Sequence, residues 1–133
     1  MVKYIVDVQG FKTFDNKFIF KEISFVCLEK STNFPTRILL APPFEWNKLP
    51  RQYQGENRWL EHNYHGLRWG CGEIPYETGL SAFKTMLEDA EKIYVKGFEK
   101  RKWLQSLFPC KYVYLETNSS FFLNLHDFFF IFC

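Results

Sequence analysis

A short basic cluster contains the residues of this chain that are best suited to bind an anion. Lys96, Lys100, Arg101 and Lys102 surround the start of a predicted helix, and Glu99 is the only carboxylate among them. Cations at a helix N-terminus oppose the helix dipole, so their position is unfavourable unless an anion binds there. The cluster therefore predicts contacts with the phosphates of single-stranded RNA or DNA. A solvated charged face is the alternative interpretation.

Asp7 is a lone carboxylate within an apolar run that favours a strand. Burying an unpaired carboxylate costs on the order of several kcal/mol, which makes a simple core position unfavourable. We therefore expect Asp7 either to lie in a cleft as a functional group or to have a structural partner. Lys96 or a nearby backbone amide is the structural partner that we expect.

Four residues of types that bind zinc lie farther along the chain: His62, His65, Cys71 and Cys110. Their spacing is not that of a compact zinc finger, so a zinc site competes with an interpretation as loop histidines and core thiols. The chain contains no Cys-x-x-Cys pair. We expect free thiols in a reducing compartment rather than a disulfide framework.

The stretch at 44–77 is crowded with aromatic side chains. Rings on loops stack on unpaired bases, which makes them candidates for single-strand recognition. The alternative is a hydrophobic cover over one face of a sheet, because these rings carry a large apolar area. The six aromatic candidates are Trp46, Tyr53, Trp59, Tyr64, Trp69 and Tyr76.

Length and composition limit the classes of protein to consider. The 133 residues support one domain rather than a two-domain enzyme, and the net charge of +2 argues against a disordered chain or a strongly basic nucleic-acid coat. The apolar start ends at Asp7, too early for a signal peptide, so we expect an intracellular protein, cytoplasmic or nuclear. The longest apolar stretch, 128–133, is far shorter than the roughly 20 residues of a membrane span.

The order of predicted elements indicates the fold class. Strands are predicted at 2–9, 17–28 and 36–41, with a tight turn at Asp15 and Asn16. Helices are predicted at 51–63, from Thr78 to Ala90 and at 98–108, and strands at 92–96 and 111–115. We expect an α/β fold with a mixed five-stranded sheet: a three-stranded antiparallel meander followed by alternating helices and parallel strands.

This element order resembles the ribonuclease H-like fold, and three segments resemble its DEDD-type 3′-5′ exonucleases. Residues 5–11 (Ile-Val-Asp-Val-Gln-Gly-Phe) are similar to the opening strand in which that family has Asp-x-Glu. His65-Gly66-Leu67 stands ahead of the long helix, where many such exonucleases have His-Gly-Ile. Residues 93–98, leading to 103–104, stand where the family has a His-Asn pair followed by Asp. The resemblance spans about 1–116 and implies two Mg²⁺ or Mn²⁺ ions held by four carboxylates.

Only one of those four carboxylates matches in this chain. Asp7 occupies the first position, whereas Gln9 stands in place of the Glu and brings no negative charge. Glu99 is the only substitute near the third position, and we expect the last helix of the family to be absent. We interpret the chain as a catalytically inactive exonuclease-like domain that needs no cofactor. It is expected to bind nucleic acid or another protein.

Two alternative functions remain open, and the domain is followed by a C-terminal tail. The chain is alternatively an active 3′-5′ exonuclease that uses Mg²⁺ or Mn²⁺ with Asp7, Glu99 and carboxylates such as Asp127, or a truncated gene product without a function of its own. We place the ribonuclease H-like domain at 1–116 and a tail at 117–133, which contains six of the sixteen Phe residues. Such a tail must cover a sheet face, contact a protein partner or result from truncation.

Overall fold

Eight regular elements follow one another in the part of the chain that the structure describes. The computed structural model describes residues 2–28 and 35–115. Its strands are β1 (Lys3–Thr13), β2 (Lys17–Cys27), β3 (Thr36–Leu39), β4 (Lys92–Val95) and β5 (Val113–Leu115). Its helices are α1 (Arg51–Leu60), α2 (Tyr76–Met86) and α3 (Phe98–Leu107). Every predicted element is present in the predicted order, whereas the Phe-rich tail at 117–133 lies outside the described residues.

The strands form one mixed sheet in the order β3-β2-β1-β4-β5. β1 is parallel to β4, with Ile5 opposite Tyr94, and β4 is parallel to β5, with Tyr94 opposite Tyr114. Parallel neighbours need a crossover connection, which α3 supplies between β4 and β5. β1 and β2 run antiparallel because a turn of only three residues joins them. The predicted α/β class and mixed five-stranded sheet are therefore confirmed.

The turn between β1 and β2 uses the left-handed backbone region. Asp15 has φ 57° and ψ 34°, a conformation that Asp tolerates better than most residues, as predicted for this position. β1 continues to Thr13, past its predicted end at Gln9. Gly10 explains the extension, because a side chain there would overlap the Ile19 carbonyl oxygen on β2. The close approach of the two strands keeps the hairpin paired up to its turn.

Contacts divide the described residues into two compact units. The first, which we call the α3 unit, contains residues 2–7, 24–28, 35–37 and 82–115. The second, the α1 unit, contains residues 8–23 and 38–81. Neither unit contains, within these ranges, a helix with the length and apolar character that crossing a membrane requires.

Phe83 on α2 occupies the core of the α3 unit. Its ring is fully buried and lies 5.6 Å from the ring of Phe108, in a T-shaped contact. Met86 follows Phe83 at the helical spacing of three residues, but its side chain is 48% exposed. α2 ends at Met86, and the Ala90 N–H then donates to the Leu87 carbonyl in a tighter turn. The predicted helix therefore stops four residues early, because helical spacing alone does not show where a turn replaces the helix.

Candidate functional site

Asp7 forms an ion pair with Lys100. The Lys100 Nζ lies 2.8 Å from Asp7 Oδ1, and the two side chains are only 19% and 22% exposed, respectively. A carboxylate this far removed from water is stabilised by a cation that donates a hydrogen bond to it. The sequence predicted that Asp7 has a partner or lies in a cleft. The partner is Lys100, four residues beyond the Lys96 that the sequence analysis named.

The turn between β4 and α3 places Lys100 in the first turn of the helix. Gly97, directly before α3, has φ 99°, a region that glycine enters without strain. The first backbone hydrogen bond of α3 runs from the Arg101 N–H to the Gly97 carbonyl at 3.0 Å. An ammonium group in this first turn opposes the helix dipole. The Asp7 carboxylate offsets that unfavourable interaction.

Arg101 also has partners within the α3 unit. Its Nε donates to the Val113 carbonyl at 2.8 Å, and its Cζ lies 4.9 Å from the centroid of the Tyr112 ring. A guanidinium group has five N–H donors, so the bond to Val113 leaves four donors for other contacts. Arg101 is therefore a positioned cation rather than a side chain that extends freely into solvent.

The other two members of the predicted basic cluster, Lys96 and Lys102, are exposed, as is Glu99. The Phe98 ring lies between them along the chain and is 79% exposed. Residues 92–102 carry five cations and one carboxylate, although the whole chain has a net charge of only +2. Positive charge is therefore concentrated on β4 and the first turns of α3.

The described residues do not fit a two-metal site. They contain no group of three or more His, Cys, Asp or Glu side chains that could hold a metal ion. The charge of Asp7 is compensated by Lys100, position 9 is an amide, and Glu99 is exposed. Hard cations such as Mg²⁺ are bound by oxygen ligands that together supply negative charge. The remaining carboxylate considered for an active exonuclease, Asp127, lies outside the described residues.

His65-Gly66-Leu67 ends a helix and attaches it to β1. A π-helical turn, Glu61–His65, extends α1, and Gly66 then terminates it with φ 70°. The Leu67 N–H donates to His65 Nδ1 at 3.0 Å, so the proton is on Nε2, which donates to the Gly10 carbonyl at 3.0 Å. Because both ring nitrogens have partners, His65 fits a structural role better than the zinc-ligand interpretation.

The six aromatic candidates divide into two groups. Trp69 is 8% exposed and contacts the rings of Phe11, Phe44 and Trp46 at centroid distances of 5.3, 5.6 and 5.4 Å. Tyr53 and Tyr76 pack against the same cluster. In contrast, Trp59 is 58% and Tyr64 61% exposed. The hydrophobic-cover interpretation therefore describes four of the rings, and only the last two remain available for contacts outside the chain.

Lys21 on β2 is a buried cation that the sequence analysis did not identify. It is 1% exposed, and its Nζ donates to the Trp69 carbonyl at 2.6 Å and also to the Cys71 carbonyl. Burial lowers the pKa of its ammonium group below the usual 10.5. The sequence does indicate the burial of Lys21, because strand alternation places it on the same face as Ile19 and Ile23, both of which are buried.

The described residues thus bring one predicted metal-binding carboxylate together with one predicted phosphate-binding lysine, and leave two further lysines exposed. These contacts position the basic cluster without assembling a catalytic group. A scan of protein-family models found no match to this chain, and a search of the curated proteins found none either.

Proposed function

We propose that this chain is a ribonuclease H-like domain that has no exonuclease chemistry and binds nucleic acid through the cations around the start of α3. The sheet supports the first part of the proposal, because a hairpin is followed by parallel strands and helical crossovers, as the resemblance implies. One observation carries the rest of it. The Lys100 ammonium lies 2.8 Å from the carboxylate that the resemblance assigns to metal binding.

An ammonium group at this position supplies the positive charge that a metal would otherwise bring to Asp7. A two-metal nuclease uses several carboxylates to hold its ions close to the attacking water and the leaving oxygen. Asp7 is paired with Lys100, and Gln9 in the second position carries no charge. These two positions of β1 therefore offer no uncompensated negative charge to hold metal ions. Residues 92–102 carry five cations, which favours a direct contact with phosphate.

Lys96 and Lys102 are the side chains best placed to make phosphate contacts. Both are exposed, and neither requires Asp7 or Lys100 to separate. Each lysine that neutralises a phosphate releases condensed counterions, so the affinity of such an interface falls as salt rises. Arg101, already anchored to Val113, adds a fixed guanidinium group with unused N–H donors.

The test is a fluorescence anisotropy titration of the full chain against labelled single-stranded RNA and DNA at 50 and 200 mM salt. We expect binding that weakens as salt rises. The slope of the logarithm of the binding constant against the logarithm of the salt concentration is negative, and its magnitude should decrease by about 1.5 in the Lys96→Ala/Lys102→Ala variant. Lys17→Ala/Lys48→Ala removes two other exposed lysines and is the matched control. The absence of binding at 50 mM salt, or equal losses in both variants, would contradict the proposal.

A further inference from the structure

Three tyrosine rings lie next to one another at the β5 end of the sheet. Tyr94 on β4 is directly opposite Tyr114 on β5, and their ring centroids are 5.7 Å apart with an interplanar angle of 41°. Tyr112 lies just before β5, with its ring 4.7 Å from that of Tyr114. We call these three residues the tyrosine row. None of the three belongs to the aromatic stretch at 44–77 that the sequence indicated.

Strand alternation places Tyr94 and Tyr114 on the face of the sheet opposite to Ile93, Val95 and Val113. On β4, Ile93 and Val95 are 1% and 0% exposed, whereas Tyr94 between them is only partly buried. On β5, Val113 is fully buried, but Tyr114 is 37% exposed. Tyr112 is 59% exposed. One face of these two strands therefore packs in the core. On the other face, Tyr94 packs against Ile5, whereas Tyr114, with Tyr112 just before it, is accessible to solvent.

Two cations lie against the rings. The Lys92 Nζ is 5.5 Å from the Tyr114 centroid, and the Arg101 Cζ is 4.9 Å from the Tyr112 centroid. Arg101 is held in place by its bond to the Val113 carbonyl. Cations at these distances are attracted to the ring faces, so each lies over one face of its ring. The surface combines flat aromatic area with positive charge.

We infer that the tyrosine row stacks on the unpaired bases of a single-stranded nucleic acid, while Lys92 and Arg101 contact the adjoining phosphates. Exposed rings on neighbouring strands of a sheet are a recurrent platform for two or three bases, whereas bases in a duplex are stacked on each other and cannot reach it. The concentration of cations in residues 92–102 complements a polyanion better than an average protein surface. The inference rests on the proposed function and specifies its substrate as single-stranded.

The test compares three fluorescein-labelled probes of equal length with the full chain at 50 mM salt: a 15-mer of thymidine, an abasic 15-mer and a 15-base-pair duplex. We expect the thymidine 15-mer to bind most tightly. Tyr112→Ala/Tyr114→Ala should weaken its binding by about 5-fold to 150-fold for each stacked base that is lost, and should leave the abasic probe unchanged. Tyr112→Phe/Tyr114→Phe keeps the ring faces and should retain binding. Phe14→Ala, at an exposed aromatic residue of the α1 unit that is not among the six aromatic candidates, is the matched control.

A second measurement avoids dependence on the folding of the variants. Nitration of tyrosine by tetranitromethane, read by mass spectrometry, should be slowed at Tyr112 and Tyr114 by the thymidine 15-mer but not by the abasic probe. Equal binding of the two single-stranded probes, with no protection of either residue, would overturn the stacking inference while leaving phosphate binding intact. Binding of none of the three probes would overturn the proposed function as well. A change in sedimentation of the Ala variant without any loss of oligonucleotide binding would assign the tyrosine row to protein contact, against the inference.

Discussion

The side-chain amide of Asn57 forms two hydrogen bonds with the main chain of Lys12. Asn57 Oδ1 accepts from the Lys12 N–H at 2.8 Å, and Asn57 Nδ2 donates to the Lys12 carbonyl at 2.9 Å. Asn57 is on α1 and is 0% exposed. An amide side chain presents a donor and an acceptor side by side, as a neighbouring strand does. This pair attaches α1 to β1 inside the α1 unit.

Asn57→Ala is therefore expected to lower the free energy of unfolding by about 2–4 kcal/mol, because the Lys12 N–H and carbonyl both lose their partner. Urea denaturation followed by circular dichroism measures the change. Asn57→Asp keeps the shape but replaces the donor by an acceptor, so it should destabilise as well. Asn63→Ala, at an exposed position, is the control and should change stability by less than about 0.5 kcal/mol. An Asn57→Ala effect that small would show that the two bonds contribute little.

The sequence predicts the elements of this fold better than it predicts the contacts between them. The helix predicted at 98–108 is present as α3, Phe98–Leu107. The partner of Asp7 was harder to predict, because Lys96 is closer to β4 in sequence but precedes the turn at Gly97. Lys100 reaches the carboxylate only after the chain has turned into α3. Periodicity carries no information about such a turn.

The burial of polar residues is also hard to predict from the sequence, but Lys21 and Asn57 differ in how hard. Lys21 interrupts an apolar face of β2 and was detectable from strand alternation. Asn57 has no such signal, since a polar residue on a short helix next to exposed neighbours is expected on the surface. Its burial depends on the strand that α1 meets, which is a tertiary property. The tyrosine row likewise depends on the register of β4 and β5, which aligns Tyr94 with Tyr114.

Lys21 should make stability rise with pH at alkaline values. Burial lowers its pKa in the folded protein, so the unfolded chain binds more protons between that lowered value and the usual 10.5. Unfolding free energy should therefore increase with pH through this window, and Lys21→Met should lose the increase. Urea denaturation of both proteins between pH 7 and 10.5 measures it, with Lys17→Met, an exposed lysine on the same strand, as the control for the lost charge. If the unfolding free energy changes with pH equally in the unmodified protein and in Lys21→Met, the alkaline increase does not come from Lys21.

Tyr4 should have the opposite effect at higher pH. Its hydroxyl donates to Asp89 Oδ1 at 3.2 Å, and burial together with the Asp89 charge raises its pKa from 10.0 to about 12. The folded protein holds this proton where the unfolded chain has lost it, so the stabilisation is complete below pH 10. It is lost between pH 10 and 12, by about 2–3 kcal/mol in total.

Tyr4→Phe is expected to remove that alkaline loss, at a cost of about 1 kcal/mol at pH 7 for the missing hydrogen bond. Phenolate absorbance at 295 nm reports the ionisation directly, and denaturation at pH 9, 10 and 11 reports the stability. Tyr114→Phe, at a partly exposed tyrosine of the same unit, is the control. If Tyr4→Phe and the unmodified protein lose stability equally above pH 10, the raised pKa does not influence folding.

The ion pair between Asp7 and Lys100 should appear as a coupling energy. In a double-mutant cycle with Asp7→Ala and Lys100→Ala, we expect a coupling of about 1 kcal/mol, modest because both side chains keep some contact with water. The coupling should shrink between 50 and 500 mM salt. Glu99→Ala, which removes the exposed carboxylate next to Lys100, should show no coupling to Asp7→Ala. Additive single effects would indicate that the pair does not stabilise the fold.

Because Lys100 already compensates the charge of Asp7, we expect that added metal ions do not give the chain exonuclease activity. We expect a 5′-labelled single-stranded oligonucleotide to stay intact with the full chain and Mg²⁺ or Mn²⁺ on a denaturing gel, beside an active 3′-5′ exonuclease as positive control. Lys100→Ala removes the ammonium from Asp7 but adds no carboxylate, so it should be equally inactive. Metal-dependent shortening that disappears in Asp7→Ala would instead establish an active site that recruits carboxylates from outside the described residues, such as Asp127.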